Sequence, residues 1–372
     1  MKNKSKLLPY KKQLEQTVTN IDQLSKFLKL SATEKHKLQK VIQKHGLRIS
    51  PYYLSLINWK NQNDPLLKMV IPDIEELHES GYFDTSSEAE NTKLHGLQHK
   101  YKQTVLVLLT NQCFSYCRFC FRARLLMPKN CEVVQNYKQI YNYLRQHKEV
   151  NNVLLSGGDP LTLSTNKLIE ITKNIQNVHH IKTLRIGTRC LAYLPQRIIE
   201  DKRLLSFFQE NSRGDKKIYL VTHFNHPREI TNITKKAVDL LLARKIILLS
   251  QTVLLKGVND EPKILNKLFN QLTAIGIIPY YLFQCRPVKG ETHFQIPIEA
   301  GIKNFEKAKK YCSGLSKTAK YIMSHKSGKI EIIGKSKKKV IFKYHQAKDI
   351  RNVGKIIIAK SNPKAKWFDD YF

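Results

Sequence analysis

The chain has 372 residues, 41% of them hydrophobic and 25% charged, which excludes wholesale disorder and supplies enough apolar material for a large core. Its formal net charge of +34 favours anionic ligands. Lysine makes up 50 of the 64 basic residues and is spread along the whole length, with one dense run at Lys335, Lys337, Lys338 and Lys339, so the charge reads as solvated surface rather than a nucleic-acid stripe.

In chain order, the N-terminus MKNKSKLLPYKKQ is basic but no apolar signal core follows it. No run of about 18 apolar residues occurs anywhere, so no membrane span is expected. Seven cysteines in a chain of this length make no disulfide scaffold, and a cytoplasmic location is expected. Residues 1–100 read as a helical N-terminal segment, in which Ser31 and Glu34 resemble a capping box. The stretch HESGYFDTSSEAENTK within it reads as a surface loop.

From about residue 104 short apolar runs alternate with amphipathic segments. The runs are TVLVLLT, VNNVLLS, IKTLRIG, KIYLVTH, KIILLSQTVLL and GIIPYYLFQ. Six such units imply a parallel sheet covered on both faces, a partial (β/α)6 TIM-like barrel over residues 101–300. Each run is followed at once by polar or Gly-rich residues, as expected of a site built at the C-terminal ends of barrel strands. Residues 301–372 read as an α/β extension: a helix around FEKAKKY, a hairpin of KIEIIG and KKVIFKYH, a third strand KIIIAKS, and an aromatic tail that packs on the body or on a second subunit.

Cys113, Cys117 and Cys120 form C-x3-C-x2-C directly after the first run. Three thiolates grouped this closely bind soft metal and leave one coordination position open. Structural zinc wants four protein ligands, and buried inert thiols are the other alternative. Cys131, Cys190, Cys285 and Cys312 show no such spacing and read as ordinary buried thiols.

The cysteine spacing is similar to the cluster motif of the radical S-adenosylmethionine enzymes, and the resemblance covers about residues 100–300. It implies that the three cysteines hold a [4Fe–4S] cluster whose open iron binds S-adenosylmethionine, with Phe119 as the aromatic commonly found beside the last cysteine. Gly157, Gly158 and Asp159 fit the motif that meets the amino group of that cofactor. Arg185, Arg189 and His223 are expected to face it as well, with Asn225 and His226 as further contacts.

A finer resemblance, to the lysine 2,3-aminomutase family, runs in order through RISPYYLSLI, NDPLLKMVIP, GLQHKY, LLSGGDPL, LRIGTR, THFNHPREIT, SQTVLLKGVND and PYYLFQCRPVKGETHF. It implies pyridoxal phosphate as a second cofactor, held by Lys329, with Lys100 and Tyr101 at its phosphate and ring and Arg122 on the substrate carboxylate. Among 50 lysines the alternative for Lys329 is a surface residue, and the same holds for Arg122 in FRAR. Lys100 and Thr104 stand where the family has arginines. The two aspartates that hold the distal ammonium in the lysine-specific enzymes are matched by Arg286 and, approximately, Ser324. A cation there repels an ammonium and attracts a carboxylate or phosphate, and Lys289 adds to this if it points inward. The glutamate-specific branch of the family also carries a cation at the first position.

The expected function is therefore 2,3-amino migration by a radical S-adenosylmethionine aminomutase on an amino acid other than free lysine. Radical modification of a protein or RNA is an alternative, and a non-catalytic nucleic-acid-binding iron–sulfur protein a more remote one. A flavodoxin- or ferredoxin-type one-electron reductant is the expected partner, and a homo-oligomer is left open.

Overall fold

The computed structural model describes residues 8–127 and 132–372, so Cys131 and the first seven residues lie outside the described residues. Among the described residues twelve strands form one sheet in sequence order: β1 (Thr92–Leu94), β2 (Leu97–Tyr101), β3 (Thr104–Thr110), β4 (Asn152–Gly157), β5 (Thr183–Thr188), β6 (Lys217–His223), β7 (Ile247–Leu254), β8 (Ile278–Gln284), β9 (Lys320–His325), β10 (Gly328–Ser336), β11 (Lys339–Ala347) and β12 (Ile356–Lys360). Strands β3 to β9 pair in parallel, and antiparallel strands flank them on both sides. β1 and β12 do not pair, so the barrel is partial, as the six alternating runs imply. β9 extends the parallel run to a seventh strand. β1 and β2 lie within the segment read as helical, and the sheet passes through residues 100 and 300 without a break.

Each parallel strand from β3 to β8 leads to a helix, and after four of these strands a helix start carries a side-chain cap. Asn136 caps Tyr137–Gln146, Ser164 caps Thr165–Gln176, Asp201 caps Lys202–Asn211 and Thr231 caps Asn232–Leu242, each accepting from a first-turn backbone N–H. The helix Thr165–Gln176 buries Leu168, Ile171, Thr172 and Ile175, the i, i+3, i+4, i+7 stripe that a helix lays on a sheet.

The strands themselves alternate. On β5, Leu184 and Ile186 are buried under the helices while Arg185 and Gly187 are half-buried on the other face. The expectation of a sheet covered on both faces is thus corrected: that second face lines a cavity. Residues from β2 through β11 line this one cavity, which requires the sheet to curl around it.

The capping box at Ser31 and Glu34 is present and opens the helix Ala32–His45. The aromatic tail packs on the body: Trp367 and Phe368 are buried, and Phe368 meets Phe342 of β11 edge to face. The dense lysine run lies at the β10–β11 turn, where Lys337 has a positive φ. No helix among the described residues is long and apolar enough to cross a membrane.

Candidate active site

The cavity encloses about 310 Å³, the size of a small-ligand site, and opens at the C-terminal ends of the parallel strands. Cys113, Cys117 and Cys120 line it from the loop after β3, all as half-buried free thiols. Burial and neighbouring negative groups push the Cys113 thiol well up, and burial does the same for Cys120. Bound metal reverses that cost by taking the thiolate directly.

Structural zinc takes four protein ligands, whereas an iron–sulfur cluster takes each thiolate on a separate iron, and a set of three cavity-lining thiols fits a cluster with one iron left open.

The N-terminal segment holds the cysteine loop in place. Tyr116 N–H donates to the Arg48 carbonyl at 2.7 Å, Arg118 N–H to the Met69 carbonyl at 2.9 Å, and Ser50 N–H to Ser115 Oγ at 3.0 Å. The Arg118 guanidinium is buried in a bidentate pair with Glu76 and also donates to the Gly46 carbonyl at 2.9 Å. Removing one partner of such a pair leaves a buried uncompensated charge, at a cost of about 3–5 kcal/mol. Glu76→Ala should therefore lower the unfolding free energy by about that amount in urea titrations. Lys289→Ala, at a more exposed ion pair, should change it by less than about 1 kcal/mol.

The GGDP turn at the end of β4 is fixed by contact with this loop. Gly157 has φ +106°, and Gly158 N–H donates to the Thr110 carbonyl at 2.6 Å. A Cβ on Gly158 would sit 2.3 Å from the Gln112 carbonyl oxygen, so the close approach demands glycine. Asp159, expected on the amino group of S-adenosylmethionine, is taken up by protein donors. Its carboxylate accepts from Thr188 Oγ1 at 2.8 Å, Arg189 N–H at 2.9 Å and Leu161 N–H at 3.0 Å. It lines the cavity, and burial lifts its pKa to about 6.

Arg189, expected beside the same cofactor, is likewise paired within the protein. It donates to Glu229 at 2.5 Å, to Tyr193 Oη at 2.7 Å and to Cys117 Sγ at 3.1 Å. Glu229, fully buried, also accepts from Tyr53 Oη and from the Asn225 and His226 backbone N–H groups. Nothing in the sequence singled it out. Asn225 is a core residue accepting from Val253 N–H at 2.8 Å, and His226 caps the short helix Pro227–Glu229; neither lines the cavity. His223 does, and its buried Nε2 has no hydrogen-bond partner. Burial, then Arg189, drives its pKa well below the ordinary value, leaving a neutral ring that offers a ligand one donor or acceptor.

At the other end stands Lys329 of β10. Its Nζ lies 4.9 Å from the centre of the Tyr281 ring and 5.9 Å from that of Tyr101, with no carboxylate partner. Burial, then the charges of Arg185, Arg286 and Lys100, lowers its pKa to about 7. Arg185, expected to face S-adenosylmethionine, lines the cavity and is one of the charges that depress Lys329. Its Nε donates to Asn152 Oδ1 at 2.9 Å and it pairs with no carboxylate. Lys100 donates to the carbonyls of His325 (2.7 Å) and Ser86 (3.2 Å), and burial, then Arg286, lowers its pKa to about 8. Tyr101, Thr104 and Ser324 line the same end.

Two substrate residues fare differently. Arg122, expected on the substrate carboxylate, is paired with Glu88 through Nε (3.0 Å) and Nη2 (2.8 Å), and its Nη1 reaches Ser156 Oγ at 3.2 Å. Burial would raise the Glu88 carboxyl, but Arg122 and Arg124 pull it well below the ordinary range. The expected surface loop HESGYFDTSSEAENTK is corrected with it: Ser86, Glu88 and Asn91 all line the cavity, because two guanidiniums compensate the buried carboxylate. Arg286 sits 4.1 Å from the Phe121 ring and donates to Ser86 Oγ at 2.5 Å, with no carboxylate partner; burial lowers its pKa to about 10. Lys289 turns away from the cavity and pairs with Glu79 at 2.8 Å. Cys190, Cys285 and Cys312 are buried free thiols.

A curled parallel α/β sheet with three cavity-lining thiols on the loop after its first parallel strand is the architecture of an iron–sulfur enzyme of the barrel type. A family model described as a 4Fe-4S single cluster domain matches residues 102–205. A protein of Aquifex aeolicus named "Putative L-lysine 2,3-aminomutase" is 47% identical over 339 residues, 91% of each chain. The L-lysine 2,3-aminomutase of Acetoanaerobium sticklandii is 37% identical, over 82% of this chain and 73% of that one. The glutamate 2,3-aminomutase of Clostridioides difficile is 33% identical, over 86% and 75%. The chain belongs to the lysine 2,3-aminomutase family of the radical S-adenosylmethionine superfamily, and is an isomerase-class enzyme that works with a [4Fe–4S] cluster and S-adenosylmethionine.

Proposed function

We propose that this enzyme moves the amino group between C2 and C3 of an acidic amino acid, and that it uses pyridoxal phosphate held on Lys329. The observation that carries the substrate class is Arg286, a cavity guanidinium that among the described residues has one hydroxyl partner and no carboxylate. A buried unpaired cation is costly and is relieved by an anionic ligand, whereas the ammonium of lysine would be repelled. Glu88 does not supply the missing anion, being committed to Arg122 and Arg124.

Lys329 supports the cofactor assignment. An amine near its neutral point at physiological pH, flanked by aromatic rings, suits covalent capture of a carbonyl. Lys100 and Arg185 are the cations beside it that would offer donors to a phosphate. His223 and the backbone of Gly157 and Gly158 remain as candidates for S-adenosylmethionine at the cluster end. When bound, the cluster and S-adenosylmethionine supply a primary carbon radical, and pyridoxal phosphate supplies a carbonyl that holds the migrating amine.

Exchanging the cation for an anion tests the reading. Arg286→Asp should lower kcat/KM for glutamate or aspartate by about 100-fold, the scale of a buried charge pair losing a partner at about 3 kcal/mol. It should also raise acceptance of lysine. Unchanged preference between the acidic amino acids and lysine in the variant would remove Arg286 from substrate recognition.

A further inference from the structure

We propose a second metal site, outside the cavity and independent of the catalytic reading, in which His99, His147 and Glu149 bind a divalent cation of the zinc class. One ligand atom from each lies within 4.8 Å of the others. His99 is on β2, His147 follows the helix Tyr137–Gln146, and Glu149 is two residues further on. The site therefore joins strand to helix across 48 residues of chain. Its atoms are those zinc takes most readily after thiolate: two imidazole nitrogens and a carboxylate oxygen.

The surroundings prepare the rings for that role. His99 Nε2 lies 3.1 Å from the Lys102 carbonyl, which can only accept, so in the neutral ring Nε2 carries the proton and Nδ1 presents its lone pair. A backbone carbonyl behind the non-ligating nitrogen is the usual support of a metal-bound histidine. Nδ1 meets Tyr143 Oη at 2.8 Å, a contact a cation would replace. The His147 ring stacks on Tyr143 with centroids 3.9 Å apart, which fixes its plane. His147 Nδ1 and Glu149 Oε1 are 2.7 Å apart and share a proton whose place a metal can take. Three protein ligands leave one position for water.

Such a staple would act on the cavity through β2. Lys100 and Tyr101, immediately after His99, both line the Lys329 end of the cavity. Fixing His99 to the helix fixes the strand that presents them.

The test uses the full chain with Cys113, Cys117 and Cys120 all changed to serine, so that these thiols take no zinc. After dialysis against zinc chloride, bound zinc and melting temperature are measured with and without EDTA, and cobalt(II) is substituted for spectroscopy. The proposal expects a zinc per chain that raises the melting temperature, and cobalt bands without sulfur-to-cobalt charge transfer. His147→Ala and Glu149→Gln should each weaken zinc binding by at least about 10–100-fold while keeping the parent's melting temperature in EDTA. Glu149 is exposed, so its variant keeps the test valid if His147→Ala fails to fold. A parent that holds no zinc, or variants that hold as much as the parent, would overturn the proposal.

Discussion

Cys117→Ala should abolish both the visible absorbance of the reconstituted cluster and the reductive cleavage of S-adenosylmethionine, while leaving the melting temperature of the apoprotein nearly unchanged. The two halves of this expectation have separate causes. Cys117 is one of the three cysteines expected to hold the cluster, and losing a mere supporting hydrogen bond around a metal ligand already costs about 10–100-fold, so the loss of a ligand should exceed about 100-fold. The fold is spared because Arg189, which reaches Cys117 Sγ at 3.1 Å, keeps Glu229 at 2.5 Å and Tyr193 Oη at 2.7 Å. No buried charge is orphaned. Anaerobic reconstitution followed by absorbance, iron content and detection of 5′-deoxyadenosine checks the first half, and a melting scan checks the second.

Lys329→Ala should eliminate amino migration yet retain the cluster and the capacity to cleave S-adenosylmethionine. The amine sits on β10 over the rings of Tyr281 and Tyr101, whereas the thiols are carried by the loop after β3. Lys329→Arg keeps the positive charge but has no nucleophilic amine, so it should be as inactive as the alanine variant if the role is covalent. Borohydride trapping with pyridoxal phosphate should label the parent at Lys329 and neither variant. Trapping should rise with pH through about 7, where the buried amine becomes neutral, and not near 10.5. The stability sign follows from the same depression. Between about 7 and 10.5 the unfolded lysine binds a proton that the folded one does not, so stability contributed by this group rises with pH across that window.

The barrel was legible because its signals are local. Six apolar runs in phase with six polar loops define β3 to β8, and the cysteine spacing is complete within eight residues. β9 was not read as a further parallel strand, because Tyr321, Ile322 and Met323 are buried in succession and its six residues lack the alternation that marks a strand. Charge pairing was the least legible layer. Arg122 and Arg286 look equivalent in sequence, and only the fold brings Glu88, 34 residues before Arg122, onto one and leaves the other with Ser86. Glu88 itself was hidden in a stretch whose polarity imitates a surface loop. Arg118 and Glu229 were missed for the same reason: each buried charge makes sense only beside partners distant in the chain, Glu76 and Tyr53 among them. Asp159 shows the complementary limit, since a motif locates a residue but not the donors that occupy it.

The most direct measurement of the central claim follows hydrogen. The reduced, cluster-loaded enzyme is incubated with S-adenosylmethionine, pyridoxal phosphate and glutamate deuterated at C3, and the 5′-deoxyadenosine formed is analysed by mass spectrometry. An enzyme that shifts the amino group of an acidic amino acid transfers deuterium into 5′-deoxyadenosine and yields the 3-amino isomer. Deuterium transfer from lysine deuterated at C3, with none from glutamate or aspartate, would contradict the account.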